Sequence, residues 1–329
     1  MILSAAIFIN KNAPSKHQLT ITDALNTVCD ITVIDDDSLQ IATECQDIIY
    51  KYDALLSVTN PMSDVYKINS SKNGATVSDE ILYLLSECEK FYYDTENRFD
   101  VTSGSLFEIW NEVIKSSTLP DEDTILNGMK TSGYQNIELD FENSTVVKKN
   151  SDLKINFGAV AKGYITDRIA KKIKFENPRG ALINLGGNVY AYGKNQNGKS
   201  WNIGIKDPDD SSAIIGSIRV SDEFVITSGD YERFAQINSK KYHHIIDATT
   251  GYPADTGLKS VTIISRNGTI CDILSTSCFL LGIDKSKELL KKYNASAIFV
   301  TDNNFVYYSE ALENDFIKSS NNYIYKKLY

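Results

Sequence analysis

Along residues 36–57 (DDSLQIATECQDIIYKYDALLS) apolar side chains fall at Ile41, Cys45, Ile48, Ile49, Tyr52, Leu55 and Leu56, the three-and-four spacing of an amphipathic helix. The same spacing in VSDEILYLLSECEKFYYDT (77–95) predicts a second helix, with Ser78 or Asp79 as its cap. A period of two then takes over in two short strands at 136–141 and 144–149, with FENS as the turn between them. INFGAVAKGYITDRIAKKI (155–173) reads as a strand end, a turn of small residues and an amphipathic helix. Residues 180–207 alternate like a hairpin, and further strands are expected near 213–220, 223–227, 234–238 and 242–246. KSVTIIS (259–265) reads as a strand and CDILSTSCFLLG (271–282) as a helix closing on Gly282. DKSKELLKKY (284–293) is a third helix, and two strands finish the chain. At the start, MILSAAIFINKN (1–12) reads as an N-terminal strand. Strands joined mostly by hairpins, with helices interleaved, predict an α+β fold of mostly antiparallel or mixed sheets. No repeat, low-complexity tract or linker divides the chain, so residues 1–329 are read as a single domain.

Composition narrows the function classes. Hydrophobic content of 42% and charged content of 23% are ordinary for a globular chain. A formal net charge of -9 argues against nucleic acid or an anionic membrane as partner, since both require basic surfaces. A chain of this charge that handles a polyanion must import positive charge from a metal ion or a few placed Lys and Arg. The cysteine count of 5 is odd and contains no CxxC pair, which fits a reducing compartment. No apolar run approaches the length of a membrane span, and no basic segment precedes the short run at the start; a cytoplasmic location is expected.

GKNQNGKS (193–200) satisfies the Walker A pattern, but that loop works only when a helix follows and its N–H groups meet the phosphates. Here the alternating WNIGIK follows, and Asn197-Gly198 is a hairpin turn. Asp272 and Thr276 are more informative. Four apart at a helix start, they share a face, and a carboxylate with a hydroxyl makes a hard-oxygen set of the kind Mg²⁺ accepts. The alternative is that Asp272 caps the helix and Thr276 packs. Gly158, Ala159 and Ala161 ahead of Lys162 form either a phosphate seat at a helix N-terminus or a tight helix–strand contact. In KKYHHIIDATTGYP (240–253), His244 is a candidate for proton transfer or a core histidine bonded to a backbone carbonyl, and Asp247 is a candidate Asx turn.

These stretches occur together in a recognisable order: LLSVTNPMSDVYKIN (55–69), RFDVTSGSLFEIWN (98–111), INFGAVAKGYITD (155–167), ALINLGGNVYAYG (181–193), VITSGDYERF (225–234), YHHIIDATTGYP (242–253) and SVTIIS with CDILSTSCFLLG (260–282). The chain thereby resembles the ApbE family of Mg²⁺-dependent FAD:protein FMN transferases over about residues 40–290. The resemblance implies an α+β fold of two interlocked subdomains with flavin between them. It implies Asp272, Thr276 and the Ala159 carbonyl as Mg²⁺ ligands, and Phe99, Asp100, Asn156, Lys162 and Ile246 as the lining of the FAD site. Asn156 stands where the family usually has Asp, and Thr59 where an aromatic residue is common. The family's N-terminal Met-Gly-Thr has no counterpart in ILSAAIFIN. His244 would take a proton from the Thr or Ser hydroxyl of an acceptor flavoprotein carrying a D-x-x-[ST]-G-A-[ST]-type motif. FMN would pass from FAD to that hydroxyl and AMP would leave. The same site with water as acceptor would make an FAD pyrophosphatase, and without turnover an FAD-binding protein.

Overall fold

The structure is a computed structural model that describes residues 15–328; the strand expected over 1–12 lies outside the described residues. Its helices are α1 (Ser38–Leu56), α2 (Asp64–Ser70), α3 (Asp79–Asp94), α4 (Gly104–Ser116), α5 (Glu122–Thr131), α6 (Ala161–Glu176) and α7 (Gly268–Lys292). The apolar stripe that predicts α1 is the one it buries, from Ile41 through Cys45, Ile49 and Tyr52 to Leu56. Ser78 precedes α3 in extended conformation, as expected of a cap, although its side chain makes no capping hydrogen bond.

The spine is a nine-stranded sheet in the order Lys16–Ile21, Cys29–Ile34, Gly180–Leu185, Asn188–Gly193, Glu223–Gly229, Leu258–Ser265, Ser296–Thr301, Phe305–Tyr308 and Ile324–Lys327. Its neighbours run antiparallel except the last pair, which is parallel, so the α+β expectation holds. Alternation along each strand sends residues to two separate cores. Phe224, Ile226, Ile263 and Phe299 face α1, α3, α6 and α7, whereas Val225, Ile264, Ile298 and Val300 face a small sheet containing Ile203, Ile205, Ile215 and Ile218. A third, smaller core joins α4 and α5 through Leu106, Trp110, Val113 and Ile125, and Ile246 packs into it.

Several expectations need correcting. Asn197-Gly198 does turn, with Gly198 at φ 70, but its flanking strands do not pair with each other. Asn188–Gly193 stays in the large sheet, while Trp201–Lys206 crosses to pair with Ile214–Val220. The genuine hairpin is the preceding one, Gly180–Leu185 with Asn188–Gly193. The strand expected at 242–246 is two pieces, Lys240–His243 and Ile246–Asp247, broken at His244 and Ile245. The helices expected at 271–282 and 284–293 are both present within Gly268–Lys292 and part at Gly282 as expected, where φ is 74 and ψ is 174, but the first starts earlier, at Gly268. Four strands rather than two follow α7.

Candidate functional site

The site begins where α6 crosses α7. Gly163 allows that crossing: a Cβ there would lie 2.4 Å from Asp272 Cβ and 2.4 Å from the Gly268 carbonyl oxygen. With only hydrogen at that point, the Gly163 N–H reaches across and donates to Asp272 Oδ2 at 2.7 Å. The Asp167 carboxylate of α6 accepts from the Gly268 and Thr269 N–H groups at 2.9 and 2.7 Å, so it holds the N-terminus of α7 against α6. Asn267 caps α7 by accepting from Ile270 N–H at 2.9 Å. Asp272 is therefore not the helix cap; it sits inside the helix with its carboxylate turned to α6. We expect Gly163→Ala to lower stability by about 1–3 kcal/mol through overpacking, measured by urea unfolding; an unchanged midpoint would contradict so close a crossing.

Diverting the Gly163 N–H to Asp272 has a second consequence. In a regular helix it would donate to the carbonyl four residues earlier, Ala159 O. Among the described residues no hydrogen bond ends on that carbonyl, and the first turn is closed instead by Tyr164 N–H to Val160 O at 3.0 Å. Ala159, Asp272 and Thr276 line the same cavity. Between them they carry a carbonyl that accepts no hydrogen bond, a carboxylate with one oxygen pinned, and a hydroxyl, all hard oxygen donors of the kind Mg²⁺ takes. No cluster of three or more His, Cys, Asp or Glu side chains able to hold a metal occurs among the described residues. Burial pushes the Asp272 carboxyl above its ordinary value, with the Lys162 ammonium and the Gly163 N–H opposing. The Asn188 amide stands nearby without closing a hydrogen bond.

The loop before α6 is set by Asn156, whose Oδ1 accepts from Gly158 N–H at 2.7 Å while its own N–H donates to Val101 O at 2.8 Å. Opposite lies the Phe99–Asp100 segment, with Phe99 buried and Asp100 accepting from the N–H and hydroxyl of Thr102 at 2.8 and 2.6 Å. Burial raises the Asp100 carboxyl to about 6, against those hydrogen bonds. Arg98 and Asp247 form an ion pair that joins this segment to the one bearing Ile246. Asp247 also closes the expected Asx turn, its Oδ1 accepting from the Thr249 N–H at 2.9 Å.

The two adjacent histidines have opposite fates. His243 Nε2 donates to Ala254 O at 2.9 Å and its Nδ1 accepts from Ile245 N–H at 3.2 Å, which makes it the satisfied core histidine. His244, at the strand break, lines the cavity with Nδ1 3.3 Å from Arg233 O. A carbonyl only accepts, so Nδ1 carries the proton and Nε2 is left as a free acceptor. Burial, with lesser effects from Arg233, His243 and Lys162, lowers His244 to about 4 despite the Arg233 carbonyl. The ring is therefore neutral at pH 7. Its contribution to stability is complete above its ordinary value of 6.5 and is lost as pH falls toward about 4. Acid destabilisation between these limits should be smaller in His244→Gln than in the wild type. Melting curves across pH test this, and parallel curves would contradict a half-buried neutral imidazole.

All nine residues singled out in the sequence, Phe99, Asp100, Asn156, Ala159, Lys162, His244, Ile246, Asp272 and Thr276, line one cavity of about 350 Å³. Sequence reasoning missed Ser228, Glu232 and Arg233 of the same wall, although VITSGDYERF contains them. Glu232 is open to the cleft yet ringed by protein, which raises its carboxyl. Leu25 and Asn26 also line the cavity, both left-handed at φ 56 and 51.

The model of the ApbE family matches residues 25–299. The FAD:protein FMN transferase of Klebsiella pneumoniae (strain 342) is 34% identical over 267 residues, covering 80% of this chain and 83% of that protein. The FAD:protein FMN transferase of Treponema pallidum (strain Nichols) is 31% identical over 272 residues, with 77% and 75% covered. The crystal structure of the ApbE protein of Thermotoga maritima MSB8 superposes with a TM-score of 0.83 at 31% identity, covering 93% of this chain and all of that one. The family model and these likenesses agree: the chain belongs to the ApbE family.

Proposed function

We propose that the chain is a Mg²⁺-dependent FAD:protein FMN transferase acting on a Thr or Ser hydroxyl of an acceptor flavoprotein. The observation that carries this reading is the convergence on one cavity of a hard-oxygen set, a lysine and a neutral histidine with a free Nε2. Asp272, Thr276 and the Ala159 carbonyl would hold Mg²⁺. When bound, the ion neutralises charge on the substrate diphosphate and on the leaving phosphate. Lys162 adds a second positive charge to an otherwise acidic chain. Phe99, Asp100, Asn156 and Ile246 shape the seat for FAD. Leu25 and Asn26 add to that lining, with Asn26 in the left-handed conformation that Gly adopts freely.

The acceptor hydroxyl oxygen attacks the FMN-side phosphorus, and its proton passes to His244 Nε2. A new P–O bond forms, the bridging P–O bond of the diphosphate breaks, and AMP leaves with the bridging oxygen. The acceptor carries a D-x-x-[ST]-G-A-[ST]-type motif. All five cysteines are buried and free, in keeping with a chain that works in a reducing compartment. No helix of the described residues is long and apolar enough to cross a membrane. Incubation with FAD, Mg²⁺ and an acceptor tests the proposal. The expected result is flavin fluorescence on the denatured acceptor band with one AMP per flavin. Free FMN and AMP without a labelled band would make the chain a pyrophosphatase, and uncleaved FAD would make it a binding protein.

A further inference from the structure

Thr276 is useful to a cation only if its oxygen lone pairs, not its hydrogen, face the cavity. The hydroxyls behind it decide that. Ser275 Oγ, on a fully buried side chain, donates to the Asp272 carbonyl oxygen at 2.8 Å, and a carbonyl cannot donate back. Ser275 has then used its one hydrogen, so in its 2.7 Å contact with Ser228 it must accept. Ser228, on the strand Glu223–Gly229, has thereby spent its own hydrogen and can only accept from Thr276 at 3.1 Å. The chain of donation runs one way, from Thr276 to Ser228 to Ser275 to the backbone of Asp272. Its free end is the Thr276 oxygen, with both its remaining lone-pair capacity and its orientation fixed.

We propose that Ser228 is a positioning residue that sets the polarity of the Thr276 hydroxyl and so prepares it as a cation ligand. The proposal rests on the reading of Asp272, Thr276 and the Ala159 carbonyl as the cation set. Ser228 reaches Thr276 from a neighbouring strand, which makes the strand end part of the site. Without Ser228 the Thr276 hydroxyl rotates freely and turns its hydrogen toward the cation in part of the population. A supporting partner of this kind is typically worth about 10–100-fold in metal affinity.

The test is a titration with Mn²⁺, which takes the same oxygen ligands as Mg²⁺, reading free Mn²⁺ by electron paramagnetic resonance. Wild type, Ser228→Ala, Ser228→Thr, Ser275→Ala and Asp272→Asn are compared, each with a melting curve in chelator. Ser228→Ala should bind about 10-fold more weakly or worse with its metal-free melting temperature retained, and Ser228→Thr should regain affinity by restoring the hydroxyl. Should Ser228→Ala fail to fold, Ser275→Ala reads the same chain one link further back: it frees Ser228 to donate toward Thr276 and should also weaken Mn²⁺. Wild-type affinity in the folded Ser228 or Ser275 variants, with Asp272→Asn impaired, would overturn the role of Ser228 and leave the cation set standing. Wild-type affinity in Asp272→Asn would overturn the cation set itself.

Discussion

Asp272→Ala should abolish nearly all flavin transfer, with a loss of about 10²–10³-fold expected for removing one preorganised electrostatic group from a water-poor site. Two effects on stability oppose each other in this variant. The carboxylate no longer has to be desolvated, but the Gly163 N–H, which donates to Asp272 Oδ2 at 2.7 Å, loses its acceptor. An unpaired buried donor costs about 1–3 kcal/mol. Asp272→Asn separates the two, because its side-chain oxygen still accepts from Gly163 while the charge is gone. It should melt at or above the wild-type temperature and still fail to label the acceptor. Measuring single-turnover labelling alongside thermal melts checks both halves; an Asn variant with wild-type labelling would show that the charge is dispensable.

His244→Ala should lower the transfer rate by about 10²–10⁴-fold, the range of a positioned general base, while FAD still binds. The neutral ring, lowered to about 4 by burial, is ready to accept a proton throughout the neutral range. The kcat/KM profile of the wild type should therefore run flat through pH 6.5, with the limb due to His244 appearing only toward about 4. A limb at 6.5 that vanishes in His244→Gln would contradict the burial of the ring. Equal rates in wild type and His244→Ala at saturating FAD would remove His244 from the chemistry. His243 offers a control for mere loss of an imidazole, since both of its nitrogens are engaged by Ala254 and Ile245 within the core.

What could be read in the sequence was local. Asp272 and Thr276 share a helical face, and that spacing survives intact. The turn at Asp247 depends on Thr249 two residues on, and it too is seen. α1 and α3 show their buried stripes openly. α4 carries a comparable buried stripe in Leu106, Trp110 and Val113, although no helix was expected there. What the sequence hides are pairings between distant segments. Gly163 meets Asp272 across 109 positions, Arg98 meets Asp247 across 149, and Ser228 meets Ser275 across 47. Nothing in GYITD announces that its glycine must admit another helix's carboxylate. The strand Trp201–Lys206 follows the same rule: its alternation marks it as a strand, but its partner is chosen by the second core rather than by the Asn197-Gly198 turn. The strand expected at 242–246 would run unbroken through His244, Ile245 and Ile246. Instead, the break at His244 and Ile245 turns the histidine to the cavity, and Ile246 anchors in the core of α4 and α5.

The claim on which the account turns is that one divalent cation sits between the first turns of α7 and the loop ahead of α6. A crystal of the protein soaked in Mn²⁺, with anomalous scattering recorded, addresses it directly. The account predicts a single strong peak in contact with an Asp272 oxygen, Thr276 Oγ1 and the Ala159 carbonyl, at the roughly 2.0–2.2 Å expected of oxygen ligands to a small divalent ion. A peak elsewhere, or a fully occupied site that leaves the Ala159 carbonyl uncoordinated, would contradict it.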